Sequence, residues 1–302
     1  MKEPAGQTLA ALVREMLPGT SWSRARDLCS SGRVLVNGEV ETDPARRMAA
    51  GEGIELRLAG PARRQEPVPR EAIVHLDADV VVVRKPAGLL TVPFTRDDRD
   101  TLLALTRVAV RRLEAAKGTP PNPTLRAVQR LDKETSGLVV FARNVKAQRV
   151  LQEQFGEHDV TRRYLAIVHG AAKDASYDTL LVPDRGDGLR GSWNGRGEPP
   201  AAGKQAATHV KVEKRLAGAT LVSCELETGR QHQIRIHLAE AGNPLVGETV
   251  YIRDWRGPLL PAPRLMLHAA VLGFVHPRSG RPLQFEDPPP PDFAAVLERL
   301  LR

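Results

Sequence analysis

Leu9, Leu12, Val13 and Met16 fall three or four residues apart and lay one apolar stripe along a short helix. A second helix follows from about Ser23 to Ser30, with Ser21 or Ser23 placed as its N-cap. The period then shortens. Gly32 to Gly38 reads as a strand ending in Asn37-Gly38, a dipeptide suited to a tight hairpin because both residues tolerate positive φ. Ile54, Leu56 and Leu58 alternate as a closing strand. From Gly60 to Arg70 the pattern lapses, and Pro61, Pro67 and Pro69 mark an extended linker. The expected organisation is a small helix–helix–hairpin domain over 1–60, a linker over 61–70 and a larger domain over 71–302.

In the larger domain, Ile73 to Asp77 and Val80 to Val83 read as strands, and Arg84-Lys85-Pro86-Ala87-Gly88 reads as a turn. Thr101 to Ala116 carries Leu102, Leu105, Val108 and Leu113 at helical spacing. Leu138 to Ala142 is an uninterrupted apolar run, the pattern of a buried strand. Asn144 caps a helix whose Ala147, Val150, Leu151 and Phe155 share a face. Thr161 to Val168 and Leu221 to Glu227 read as strands, and Gly242 stops the helix before it. Leu267 to Phe285 reads as strands joined by a hairpin at Ser279-Gly280. Pro183 to Gly203, rich in Gly, Pro and charge, reads as a mobile surface loop.

Composition narrows the partner more than the fold. The length of 302 residues suits about two domains, and 41% hydrophobic residues suffice for a core. Lys plus Arg exceeds Asp plus Glu by 44 to 36, a basic balance that favours an anionic partner. Aromatics make up only 4%, so stacking platforms for single-stranded RNA are few. Residues 1–60 hold equal numbers of acids and bases, so the excess lies beyond them. What marks the first domain is clustering. Arg24, Arg26 and Arg33 surround the second helix and the turn after it, where they meet phosphates together or form a solvated face. Cys29 and Cys224 are far apart and neither lies in a C-x-x-C, which argues against a zinc ribbon or a disulfide framework. No apolar run has membrane-spanning length and the N-terminus lacks a signal-peptide core, so a cytoplasmic setting is expected.

The candidate chemistry centres on Val128 to Asn144, V-Q-R-L-D-K-E-T-S-G-L-V-V-F-A-R-N. Asp132 stands between a charged run and the apolar strand, where a carboxylate is costly unless compensated. Read alone, it serves equally well as a turn residue capping backbone N–H groups beside Thr135 and Ser136. Tyr164 alone reads as a half-buried strand tyrosine. His232 and His237 are five apart, a poor spacing for two metal ligands on one helix face. No metal site and no Gly-rich phosphate loop is expected.

The stretch around Asp132 closely resembles the active-site motif H-R-L-D-x-x-T-S-G-L of the RluA family of pseudouridine synthases, with Gln129 where the family usually has His. The Lys85-Pro86-Ala87-Gly88 turn, the Arg162-Arg163-Tyr164-Leu165-Ala166 strand and Thr228-Gly229-Arg230-Gln231-His232-Gln233-Ile234-Arg235-Ile236-His237 resemble further family segments. So does Pro244 to Glu248, where the family usually has Asp at 248. The sequence from Ser23 to Glu39 is similar to the α-L RNA-binding domain that often precedes such enzymes.

The resemblance implies an α+β fold: a central mixed, largely antiparallel sheet flanked by helices, preceded by the small RNA-binding domain. It implies that Asp132 is the catalytic aspartate, Arg235 the arginine that pairs with it and Tyr164 the active-site tyrosine. Lys85, Arg130 and Arg230, together with Arg24, Arg26 and Arg33, are the expected RNA contacts. The implied reaction turns a uridine over and rejoins it to the same sugar through carbon, without a cofactor. The expected partner is structured RNA, ribosomal from the large subunit or else transfer RNA, bound by a monomer. A glycoside hydrolase is a rival, since it too acts at an anomeric carbon, but it needs two carboxylates, and Glu134 and Glu227 have no supporting context. A non-catalytic RNA-binding or ribosome-assembly protein is the rival from another class.

Overall fold

Thr8 begins the first helix by accepting from the Ala11 N–H with its hydroxyl, and α1 then runs Leu9–Met16. Leu9, Leu12 and Val13 turn inward, whereas Met16 at the frayed end is exposed. Ser21 caps α2 (Trp22–Ser30) through the Arg24 N–H, and Ala25, Leu28 and Cys29 meet the stripe of α1. Three short strands complete this unit: β1 (Val34–Val36), β2 (Glu39–Val40) and β3 (Ile54–Leu56), in the order β2-β1-β3 and all antiparallel. Asn37 and Gly38 join β1 to β2 with φ of 52° and 86°, the positive values this tight turn requires. The Asn37 side chain accepts from the Gly53 N–H at 2.9 Å and so ties the hairpin to the approach of β3.

The computed structural model describes residues 7–57 and 67–302, apart from 31, 42, 50, 96, 97, 99, 121, 123 and 196 and the side chain of Ser30. Leu58 and most of the expected linker lie outside the described residues. The chain divides into two compact units, Met1–Gln65 and Glu66–Arg302.

The second unit is built on one large sheet. A 3-10 turn (Arg70–Ala72) leads into β4 (Ile73–Leu76) and β5 (Val80–Lys85), followed by α3 (Leu102–Ala116), β6 (Arg126–Ala127) and β7 (Ser136–Ala142). Next come α4 (Val145–Gly156), β8 (Thr161–His169), β9 (Ala175–Val182), β10 (Gly191–Ser192), β11 (Lys204–Leu216) and β12 (Ala219–Leu226). The chain ends with α5 (Gln233–Glu240), β13 (Leu267–Val275), β14 (Pro282–Glu286) and α6 (Pro291–Leu300). The main strand order is β10-β9-β11-β12-β8-β13-β7-β5-β4, with β14 on β13 and β6 on β7. Among the described strands the pairing of β13 with β7 is parallel and the others are antiparallel.

The four valines of β5 show why this sheet is apolar on both faces. Val81 and Val83 point into the layer that holds Leu102, Leu105 and Val110 of α3. Val80 and Val82 point into the opposite layer, with Ala147 and Leu151 of α4. A strand covered on both sides reads as a continuous apolar run, as β5 and β7 do. Asn144 caps α4 by accepting from the Ala147 N–H at 2.8 Å.

The segment expected as a mobile loop, 183–203, is more ordered than its composition suggests. It contributes β10 to the edge of the sheet, and Asp184 binds the N–H groups of Gly186 and Gly188. Short glycine-rich strands lack the alternation by which a strand is recognised.

Candidate active site

Asp132 sits at the head of a turn in which the Thr135 N–H bonds back to its carbonyl at 3.1 Å. Two side chains clamp this turn from outside. The Thr91 hydroxyl accepts from the Leu131 N–H at 3.1 Å and donates to the Leu131 carbonyl at 2.9 Å. The Lys85 ammonium donates to the carbonyls of Pro86, Lys133 and Thr135 at 3.0, 2.8 and 2.7 Å. β7 begins immediately afterwards at Ser136, so the turn is anchored at both ends and the aspartate is held at a fixed height above the sheet.

That position opens into a cleft of about 460 Å³, with Asp132, Tyr164, His232 and Arg235 among its walls. The Asp132 side chain is 21% exposed, open to a ligand yet mostly withdrawn from water. Arg235 reaches it at 3.8 Å and His232 at 4.0 Å. The stronger bond of Arg235 goes elsewhere. Its Nε and Nη2 donate to the two oxygens of Glu248 at 2.8 and 2.7 Å, a forked pair with a carboxylate that is fully buried. Glu248 also accepts from the N–H groups of Thr249 and Val250. Burial is the largest single influence and opposes its charge, but the hydrogen bonds and charge of Arg235 together with the Val250 and Tyr251 N–H groups outweigh it and hold the carboxyl below the ordinary value. Arg235 is thus fixed from behind, with one edge left for Asp132.

Tyr164 lies on β8, opposite Cys224 of β12 and Ala269 of β13. It is almost wholly buried, and burial pushes its phenol up to about 12, so it stays protonated at neutral pH. His232 occupies the left-handed region at the start of α5, with φ of 60°, and its Nδ1 lies 2.8 Å from the Tyr251 hydroxyl. Burial lowers its pKa despite the attraction of Asp132, which favours the neutral ring. His237 spends both ring nitrogens on the hydroxyls of Thr179 and Thr208. Asp77, Asp79 and His276 cluster elsewhere, but His75, Asn144 and Arg278 already bond their carboxylates.

The fold brings Asp132, Tyr164, Arg235, Arg130 and Arg230 to one cleft. Lys85 requires a correction. It is 2% exposed and all three of its N–H donors are spent on main-chain carbonyls, so it holds the Asp132 turn and offers nothing to a phosphate. Arg24, Arg26 and Arg33 belong to the N-terminal unit, the first two exposed and Arg33 half-buried with its guanidinium on the Arg57 carbonyl. Of the carboxylates weighed as a hydrolase partner, Glu227 is exposed and bonds His209. Three residues lay inside the recognised segments without being assigned a place in the site: Arg162 in the cleft wall, His232 beside Asp132, and Glu248 as the partner of Arg235. For His232 and Glu248 the signal was membership of those segments, and for Arg162 it was also the alternation along β8 that puts it on the face of Tyr164.

The model of the RNA pseudouridylate synthase family matches residues 79–240, which include Asp132, Tyr164 and Arg235. The chain belongs to this family. Its members are isomerases that convert uridine to pseudouridine. An S4 domain model matches residues 7–54 of the synthase. The ribosomal large subunit pseudouridine synthase D of Xylella fastidiosa is 34% identical, over 98% of this chain and 89% of that protein. The protein of the same name in Neisseria meningitidis serogroup A is 35% identical, over 99% of this chain and 80% of that one. Among solved structures, human RNA pseudouridylate synthase domain containing 1 superposes with a TM-score of 0.58 at 26% identity, covering 77% of this chain and 90% of its own. Human RNA pseudouridylate synthase domain containing 4 shares the fold, with a TM-score of 0.61 at 24% identity over 76% and 93% of the two chains.

Proposed function

We propose that this synthase converts a specific uridine of large-subunit ribosomal RNA to pseudouridine, with Asp132 acting at the sugar. The observation that carries the residue assignment is the placement of Asp132: a single, partly shielded carboxylate at the head of a clamped turn, with a cation at 3.8 Å that is itself fixed by a buried acid. Such a carboxylate is placed to meet the sugar of a nucleotide whose base occupies the cleft and excludes water. Tyr164, protonated and buried beside it, supports the detached base from below. Arg235 orients Asp132 through its free edge. Arg130, exposed at the rim, takes the space of the unstacked uridine or meets a phosphate. Taking the target base out of its stack costs a few kcal/mol, which contacts along the rest of the RNA must offset.

Support for the ribosomal substrate comes from the relatives named large subunit pseudouridine synthase D and from the S4 domain that precedes the catalytic unit. Action as a monomer in the cytoplasm belongs to the same reading. No described helix is long and apolar enough to cross a membrane.

The test is pseudouridine mapping of total RNA from cells with and without the gene, by carbodiimide-dependent reverse-transcription stops. Loss of a stop in the large-subunit RNA, restored by wild type and not by Asp132→Asn, is the expected result. The Asp132→Asn protein should still bind the RNA. Loss at a transfer RNA position would overturn the substrate. Turnover near wild type in Asp132→Asn would overturn the mechanism.

A further inference from the structure

Four arginines, Arg130, Arg162, Arg230 and Arg235, line the cleft together with one carboxylate, Asp132. Two of their charges are accounted for. Arg235 is forked onto Glu248, and Arg130 is exposed to water. Arg162 has neither remedy. It is 7% exposed, and its Nη2 donates only to the neutral carbonyls of Leu226 and Glu227. Its Nε is buried without a hydrogen-bond partner. The titratable neighbours that act on it are Tyr164, uncharged at neutral pH, and the cation Arg230, with no carboxylate among them.

A guanidinium this deeply placed without a counter-ion is unfavourable in the empty protein. Two features keep it facing the cleft. Its planar group lies over the Phe155 ring at 5.5 Å, and Phe155 is itself a cleft residue. On the other side its Nη1 lies 2.7 Å from where a Cβ on Gly229 would stand, so a residue with a side chain there would press on it. Arg230, the next residue, is fastened through Nε to the Gln205 carbonyl at 2.9 Å. Two cations therefore converge on one side of the cleft, and they are held by neutral groups alone.

We propose that Arg162, with Arg230 beside it, is the seat of a backbone phosphate of the substrate RNA next to the target uridine. The inference rests on the proposed pseudouridine synthase activity and goes beyond it by assigning a residue and a ligand group. A uracil carbonyl is neutral and leaves the buried charge uncompensated. A phosphate supplies the missing anion and matches the fork of the guanidinium. Because Arg162 and Tyr164 project from the same face of β8, one strand presents the seat for the backbone and the support for the base together.

The experiment uses the full-length protein and deproteinised total RNA from cells lacking the gene. Pseudouridine formation is followed against RNA concentration and against salt for wild type, Arg162→Gln and Arg162→Lys, and the melting temperature of each is recorded. Each phosphate neutralised contributes about 0.7 to 0.9 to the slope of log affinity on log salt. Arg162→Gln is expected to raise KM more than it lowers kcat and to reduce the slope of kcat/KM by about that amount. Arg162→Lys should restore the slope while recovering only part of KM, since it keeps the charge and loses the fork. A wild-type salt slope in Arg162→Gln, with a lowered melting temperature, would overturn the phosphate seat and leave Arg162 a structural tie between β8 and β12. If Arg162→Gln does not fold, Arg162→Met, which removes the charge and keeps the apolar stem, is read in the same way: a wild-type slope would overturn the seat and a slope reduced by the phosphate amount would uphold it. A wild type that forms no pseudouridine from this RNA would overturn the proposed function and this inference together.

Discussion

Glu248 shows how one residue sets the charge of the site without touching substrate. Its side chain is fully buried and its partner Arg235 nearly so. Removing one member of such a pair strands the other, a cost of about 3–5 kcal/mol. Glu248→Gln is therefore expected to lower stability by about that amount at neutral pH in urea melts, and Glu248→Asp to recover part of it. The pH dependence has a definite sign. The folded carboxyl titrates below its ordinary 4.5, so the pair contributes fully above 4.5 and its contribution is lost as pH falls through the lower folded value. The gap between wild type and Glu248→Gln should narrow in acid. A constant gap would mean that the pair is not ionic. At this scale the sequence was readable where a short motif carried the residue: Asp132, Tyr164 and Arg235 line one cleft as the motifs implied. It misled where a residue's surroundings come from distant segments. Lys85 looked like a surface cation, yet it spends its charge on carbonyls nearly fifty residues away in sequence.

Elements were legible wherever periodicity and caps agreed, as in α3 with Thr101 and α4 with Asn144. They were obscure where pairing is long-range. Nothing local in β7 says that its first residues will run parallel to β13, with Ser136 against His268 and Gly137 against Ala269. Gly137 is the residue this contact depends on. Its φ is 117°, and a Cβ there would lie 2.3 Å from the Ala269 carbonyl oxygen, a backbone atom that cannot step aside. Gly137→Ala should force β7 from β13 and cost on the order of 1–3 kcal/mol, more if the adjoining Asp132 turn follows. Thermal denaturation reads this directly. A variant that melts with wild type would show that the two strands are less closely apposed.

Across the whole molecule, charge is divided unevenly. Residues 1–60 are balanced, so the net charge of +8 belongs to the rest of the chain. Any share of RNA affinity that the N-terminal unit carries would therefore come from the grouping of Arg24, Arg26 and Arg33 and not from bulk charge. Deleting residues 1–60 should weaken binding to a large-subunit RNA transcript and flatten its salt dependence, measured by filter binding at several salt concentrations. The catalytic unit should keep its fold, since its main core draws on no residue before Val68. Equal affinity and slope in the truncated protein would remove the RNA-binding role of that unit.

The parallel contact between β7 and β13 also fixes an order of events during synthesis. The N-terminal unit has all of its core residues by Leu56, whereas the Asp132 turn waits for Glu248 to secure Arg235 and for His268 and Ala269 to dock against the start of β7. Domains fold as units while the chain emerges at about 5–20 residues per second. A nascent chain therefore carries a finished RNA-binding module for roughly 10 to 40 seconds before it has a working catalytic centre.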